Sequence, residues 1–116
     1  MQKRILIAEP NAYLSEAIAG ILSAFGYDVV GTTSNCDEII HFLRGLKPDL
    51  LLIDFALSRQ MDIGTIRTQF PELKIVASLW HEAIEELAEN ANAIGLDGFI
   101  CKYSSRDDLL NSLNTL

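Results

Sequence analysis

The run "LLLIDFALSRQ", Leu50 to Gln60, carries unbroken apolar residues into a carboxylate and then loosens. Continuous apolarity over so short a stretch predicts a strand covered on both faces, which is the signature of a parallel sheet rather than of a half-exposed hairpin. Similar runs recur at "RILIA" (Arg4 to Ala8), "YDVVGT" (Tyr27 to Thr32), "KIVASL" (Lys74 to Leu79) and "GFIC" (Gly98 to Cys101). Helical spacing fills the intervals. Leu14, Ala17, Ile18, Ile21, Leu22 and Phe25 fall on one face before Gly26, and Ile39, Ile40, Phe42, Leu43 and Leu46 form a second stripe ahead of Pro48. Asn35 and Glu38 have the spacing of a capping box at the start of that second helix. A short third helix is expected over about Asp62 to Phe70, a fourth carries Ile84, Leu87, Ala88 and Ala91, and a fifth follows Ser104 or Ser105 with Leu109, Leu110 and Leu113 inward. Strict alternation of strand and helix predicts an α/β fold, a (βα)5 doubly wound parallel sheet with helices on both faces, because each crossover returns right-handedly to the sheet.

The 116 residues suit a single domain over 1–116, and 49% apolar residues suffice for a core. No apolar run reaches the length of a membrane span and the start "MQKRILIAEP" has no signal-peptide pattern, so a soluble, cytoplasmic domain is expected, with no membrane partner. A formal charge of -7 argues against direct contact with nucleic acid, whose phosphates attract Lys and Arg. A protein partner or a metal fits that charge better. Cys36 and Cys101 lack CxxC spacing, so two reduced structural thiols are expected.

In open α/β sheets ligands bind outside the carboxyl ends of the strands. Those ends read "AEPN", "IDFA", "SLWH" and "CKYS", and they offer Glu9, Asp54, Ser78 and Lys102 to one rim. Glu9 and Asp54 on neighbouring strands repel each other unless a hard divalent cation, magnesium above all, or Lys102 compensates them.

With these residues in place the whole chain from Arg4 onward resembles the receiver domain of two-component response regulators. The stretches "KPDLLLID" and "DGFICK" look most like receivers that head DNA-binding transcription regulators. The resemblance implies a flavodoxin-like sheet of strand order 2-1-3-4-5. It implies Asp54 as acceptor of a phosphoryl group from a histidine kinase or phosphotransfer protein, and Lys102 as the phosphate contact. Glu9, Asp54 and the main-chain carbonyl of Ala56 would be the magnesium ligands. Phe99 matches the aromatic switch position. The activity so implied is regulatory, with self-catalysed phosphoryl transfer and dephosphorylation only, and not that of an enzyme. Phosphorylation would alter the surface of the fourth helix, fifth strand and fifth helix, through which such domains also form homodimers.

Several positions depart from the family pattern. Pro10 stands where most receivers have a second acid and supplies neither a carboxylate nor an N–H, which should weaken magnesium. Counting along the fourth strand puts Leu79, not Ser78, at the usual switch position, and a one-residue slip turns a side chain to the opposite face. "FALSRQMDIG" has lost the proline of the family's loop, and Tyr103 follows Lys102 where many receivers have a cis proline.

Simpler readings stand beside these. Asp54 can be a helix cap, Glu9 an exposed acid, Lys102 a salt bridge to Asp54 without phosphate, and Ser78 a small strand residue. Trp80 and His81 read as a part-packed aromatic and a helix-start residue, and Glu85 and Glu86 as a solvated face. Two alternatives to a phosphoaccepting receiver stand open. One is a pseudo-receiver that acts as a phosphate-independent interaction module, suggested by Pro10. The other is a flavin or nucleotide domain, which "AEPNAYLSEA" argues against because it has no glycine and presents an acid where a phosphate would sit.

Overall fold

Alternating side chains divide this molecule into two cores. The computed structural model describes residues 3–80, 95–102 and 105–116. Its strands are β1 (Arg4–Ala8), β2 (Asp28–Thr33), β3 (Leu50–Asp54), β4 (Lys74–Leu79) and β5 (Gly98–Cys101). The described helices are α1 (Ala12–Ala24), α2 (Cys36–Leu46), α3 (Phe55–Arg59), α4 (Ile63–Gln69) and α5 (Arg106–Asn114). All strand pairs are parallel, in the order β2-β1-β3-β4-β5.

On one face Leu6, Leu51, Ile53, Ile75, Ala77 and Leu79 pack against Ile39 and Leu43 of α2, Leu57 of α3 and Ile66 of α4. On the other, Ile5, Ile7, Leu50, Leu52 and Val76 meet Ile18 and Leu22 of α1 and Leu109, Leu110 and Leu113 of α5. The period of two along each strand produces this partition, and burial on both faces explains why β3 has no polar residue before its last.

Local chemistry sets the helix ends. Asn11 caps α1 by accepting from the N–H groups of Tyr13 and Leu14, and Ser105 caps α5 by accepting from Asp108 N–H. Gly26, at φ 93°, allows the turn between α1 and β2. At Gly31 a Cβ would stand 3.1 Å from Leu46 Cδ1, so the glycine permits α2 to lie close on β2.

Three expectations are corrected. Phe25, assigned to the buried stripe of α1, is 50% exposed, and the Arg106 guanidinium stacks 5.2 Å from its ring centroid. The capping box at α2 gives way to a simple N-cap. Asn35 accepts from Asp37 N–H, whereas the Glu38 carboxylate turns to the Thr33 hydroxyl at 2.8 Å, because that buried hydroxyl lies within reach at the end of β2. The stretch after Asp54, read as a loop, is helical over Phe55–Arg59, since Asp54 caps it and the Ser58 hydroxyl donates to Phe55 O at 2.6 Å. The expected fourth helix with Ile84, Leu87, Ala88 and Ala91 lies outside the described residues, as do His81, Glu85, Glu86, Tyr103 and Ser104. Among the described residues no helix is long and apolar enough to cross a membrane.

Candidate functional site

β1, β3 and β5 deliver Glu9, Asp54 and Lys102 to one point at the carboxyl rim. Glu9 follows β1 directly, and its N–H donates to Thr33 O at 2.9 Å, so the chain at Glu9 is still tied to β2. Asp54 is the last residue of β3 and also the N-cap of α3. Lys102 follows β5, and its N–H donates to Leu79 O at 2.8 Å, which continues the β4–β5 ladder and fixes where its side chain departs.

The Lys102 ammonium donates to Glu9 Oε1 at 2.5 Å and to Asp54 Oδ2 at 2.5 Å. Its side chain is 3% exposed, and those of Glu9 and Asp54 are 2% and 9% exposed. Each remaining carboxylate oxygen has a backbone donor, Asn11 N–H to Glu9 Oε2 at 2.9 Å and Leu57 N–H to Asp54 Oδ1 at 3.0 Å. Burial works to lower the lysine's pKa, yet its bonds to Asp54 and Glu9 and their charges outweigh burial and hold it above the ordinary lysine value. Two carboxylates share one ammonium in a site almost closed to solvent.

Trp80, 42% exposed, lies with its ring centroid 5.0 Å from the Lys102 ammonium. The sequence reading of a part-packed aromatic did not anticipate this contact, nor the backbone N–H groups of Asn11 and Leu57 as carboxylate holders. An Asn just ahead of a helical period was the available signal for the first.

Register settles which way the end of β4 faces. Asp54 and Ser78 are Cα partners and no bulge interrupts the β3–β4 pairing, so their side chains leave the sheet on the same side. Ser78 is 3% exposed and borders, with Lys102, a cavity of about 100 Å³ between α1 and β5. Leu79, 1% exposed, points into the opposite core. Phe99, the aromatic position on β5, is 42% exposed and pairs with Ala77. Ala56 lies in the first turn of α3, with its residue exposed. Cys36 and Cys101 are both free, and burial and then the Asp37 charge push the Cys36 thiol up, away from reactive thiolate.

The resemblance implies a divalent cation at this donor set. Among the described residues no three His, Cys, Asp or Glu side chains are grouped to hold a metal. All four oxygens of Glu9 and Asp54 are already bonded, and Pro10 offers none. In this arrangement Lys102 is the cation that compensates both acids.

An open parallel sheet with a buried acid pair and a lysine at its carboxyl rim defines a flavodoxin-like domain whose polar chemistry is gathered at one end. The chain belongs to the response regulator receiver domain family, whose model matches residues 5–114, and it is thus the receiver domain of a two-component response regulator. The chemotaxis protein CheY of Thermotoga maritima is 28% identical over 119 residues, covering 98% of this chain and 97% of that protein. The transcriptional regulatory protein PdtaR of Mycobacterium tuberculosis is 26% identical over 96% of this chain, which spans 55% of PdtaR. A response regulator structure from Thermotoga maritima superposes with a TM-score of 0.85 at 24% identity, covering 99% of this chain and 97% of that one. The role of such a domain is regulatory, unlike that of a conventional enzyme.

Proposed function

We propose that Asp54 accepts a phosphoryl group from a phosphohistidine on a histidine kinase or phosphotransfer protein, and that Lys102 carries the resulting charge change through the site. The observation that supports this most is the convergence of Asp54 Oδ2, Glu9 Oε1 and the Lys102 ammonium at 2.5 Å in a site with less than a tenth of each side chain exposed. A carboxylate oxygen of Asp54 attacks phosphorus, a P–O bond forms, and the P–N bond breaks with its electron pair going to the imidazole. The acyl phosphate places new anionic oxygens beside Lys102, which then exchanges its bond to Asp54 for one to the phosphoryl group. Leu57 N–H keeps the other Asp54 oxygen oriented during the attack, and Ser78, on the same side of the sheet, is the hydroxyl positioned to follow the phosphoryl group. The new charge shifts the population between two packings of the rim and the elements behind it, and partners or a second copy read that shift.

Incubation with acetyl phosphate, with and without magnesium, read by intact mass beside Asp54→Asn, tests the reading. One added phosphoryl group on the native protein and none on the variant is expected. The phosphate-independent interaction module is favoured by a specific observation, the full engagement of both carboxylates by Lys102 and backbone N–H groups. A native protein that gains no phosphoryl group, and whose amide spectrum beryllofluoride with magnesium leaves unchanged, would favour that second reading instead.

A further inference from the structure

β5, the strand that Lys102 follows, is weakly fixed by its own side chains. Among the described strands it lies at an edge of the sheet, pairs with β4 alone and runs for four residues, Gly98–Cys101. Only Ile100 of the four is buried, Phe99 is 42% exposed, and Gly98 offers no side chain. A strand with so little buried pattern specifies its register weakly. We infer that Arg67 and Asp97, at the rim opposite the acid–lysine cluster, are a positioning pair that pins β5 in register and so sets where the Lys102 side chain emerges. The consequence for phosphoryl transfer rests on reading Lys102 as the phosphate contact, whereas the pinning itself does not.

The fastening is dense at the amino end of that strand. Asp97 donates its N–H to Ile75 O at 2.8 Å and accepts the Ile75 N–H on Oδ2 at 2.8 Å, so one residue closes both bonds to the start of β4. Arg67 reaches the same Oδ2 through Nη2 at 2.6 Å, donates to Gly95 O at 2.8 Å and, through Nη1, to Leu73 O at 2.6 Å. One guanidinium on α4 thus joins the turn before β4 to the turn before β5, and its planar fork spans acceptors that a lysine ammonium, a point donor, would not. The side chains of Arg67 and Asp97 are 30% and 25% exposed, so these charge-assisted bonds are partly shielded from water. At the other end of β5 the backbone bond from Lys102 N–H to Leu79 O carries the register to the site. A slip of one residue would move Lys102 by about 3.3 Å and turn its side chain to the opposite face. The ammonium would then leave its 2.5 Å contacts with Glu9 and Asp54. Far smaller displacements are enough to slow a transfer that depends on orientation. Arg67 and Asp97 therefore act through β5, from the far rim of the sheet.

Amide hydrogen exchange of the native protein and of Arg67→Met, followed by NMR with no phosphoryl donor present, tests the pinning. The Lys102 N–H should lose at least tenfold more protection in the variant than the Leu51 and Leu52 N–H groups of β3, which report the stability of the whole domain. Asp97→Asn should give the same selective loss, and joining the two substitutions should add little, because both residues serve one clasp. Arg67→Lys keeps the charge and loses the fork, so it should fall between the native protein and Arg67→Met, and it takes the place of Arg67→Met if the latter does not fold. With acetyl phosphate and magnesium, the folded variants should gain a phosphoryl group at least tenfold more slowly than the native protein. Equal loss of protection in β3 and at Lys102 marks a merely stabilising ion pair and overturns the inference, as does an unchanged Lys102 N–H in a folded variant. An unchanged phosphorylation rate beside a loosened Lys102 overturns the positioning role. A native protein that accepts no phosphoryl group refutes the reading of Asp54 instead, and the exchange rates then decide the pinning alone.

Discussion

Replacing Lys102 by Met should cost about 3–5 kcal/mol of stability at pH 7, the range for removing one partner of a buried ion pair. The structure supplies the reason for so large a figure. Lys102, Glu9 and Asp54 are 3%, 2% and 9% exposed at the side chain, so the two acids left behind are neither hydrated nor compensated. The cheapest escape is for one of them to take up a proton. Holding a carboxyl of ordinary pKa about 4 protonated at pH 7 corresponds to about three pH units, or about 4 kcal/mol at 1.36 kcal/mol per unit, which agrees with the first figure. The sign of the pH dependence follows. In the variant one folded-state carboxyl pKa is raised, so the penalty grows with pH above the unfolded value and shrinks as pH falls. Between pH 7 and pH 5.5 the deficit should fall by about 2 kcal/mol. The native lysine contributes nothing to that slope, because its pKa is raised above 10.5 and it stays charged throughout; its own contribution is lost only as pH rises through the raised value. Urea unfolding of both proteins at the two pH values measures this. A deficit under about 1 kcal/mol at pH 7, the range of an exposed pair, or one that does not change with pH, would refute the picture of a dry, mutually dependent cluster.

Three further outcomes are expected. Ser78→Ala should change the lifetime of the phosphorylated protein with little loss of stability, while Leu79→Ser should cost about 2–5 kcal/mol as a core truncation, measured by mass decay and by urea unfolding; equal effects on lifetime would contradict the facing read from the register. Burial works to raise the Asp97 carboxyl, but the bonds from Ile75 N–H and Arg67 outweigh it and hold it below the ordinary value. Its contribution is therefore present above pH 3.8 and lost as pH falls through the lowered value, so Asp97→Asn should flatten the acid limb of a thermal-stability profile. Asn35→Ala, which removes the acceptor for Asp37 N–H at the start of α2, should cost about 1 kcal/mol in a denaturant titration.

The readable part of this protein was what depends on neighbours in sequence. Unbroken apolar runs such as Leu50 to Ile53 and the helical stripes of Ile18 with Leu22 and Leu109 with Leu113 announced strands and helices, because burial on a given face follows the local period. Strict alternation then implied a parallel sheet, and with it a single rim at which Glu9, Asp54 and Lys102 had to emerge. Phe25 and Glu38 were misread for one shared reason. Each had the right spacing, but a distant partner, Arg106 or Thr33, offered a different contact.

Tertiary structure decided the rest. The parity of β4 relative to β3 is a matter of hydrogen-bond register between strands, so the count along β4, which pointed to Leu79, missed that Ser78 shares a side with Asp54. The direct passage from strand to helix at Asp54 depended on a carboxylate free to accept Leu57 N–H while also meeting Lys102. Above all, the sequence by itself determined that two acids and a lysine reach the same rim, whereas only the folded chain showed both acids bonded to the one ammonium. That contact turns on distances of a few tenths of an ångström between side chains on separate strands. Sequence pattern carries periodicity, and it does not carry those distances.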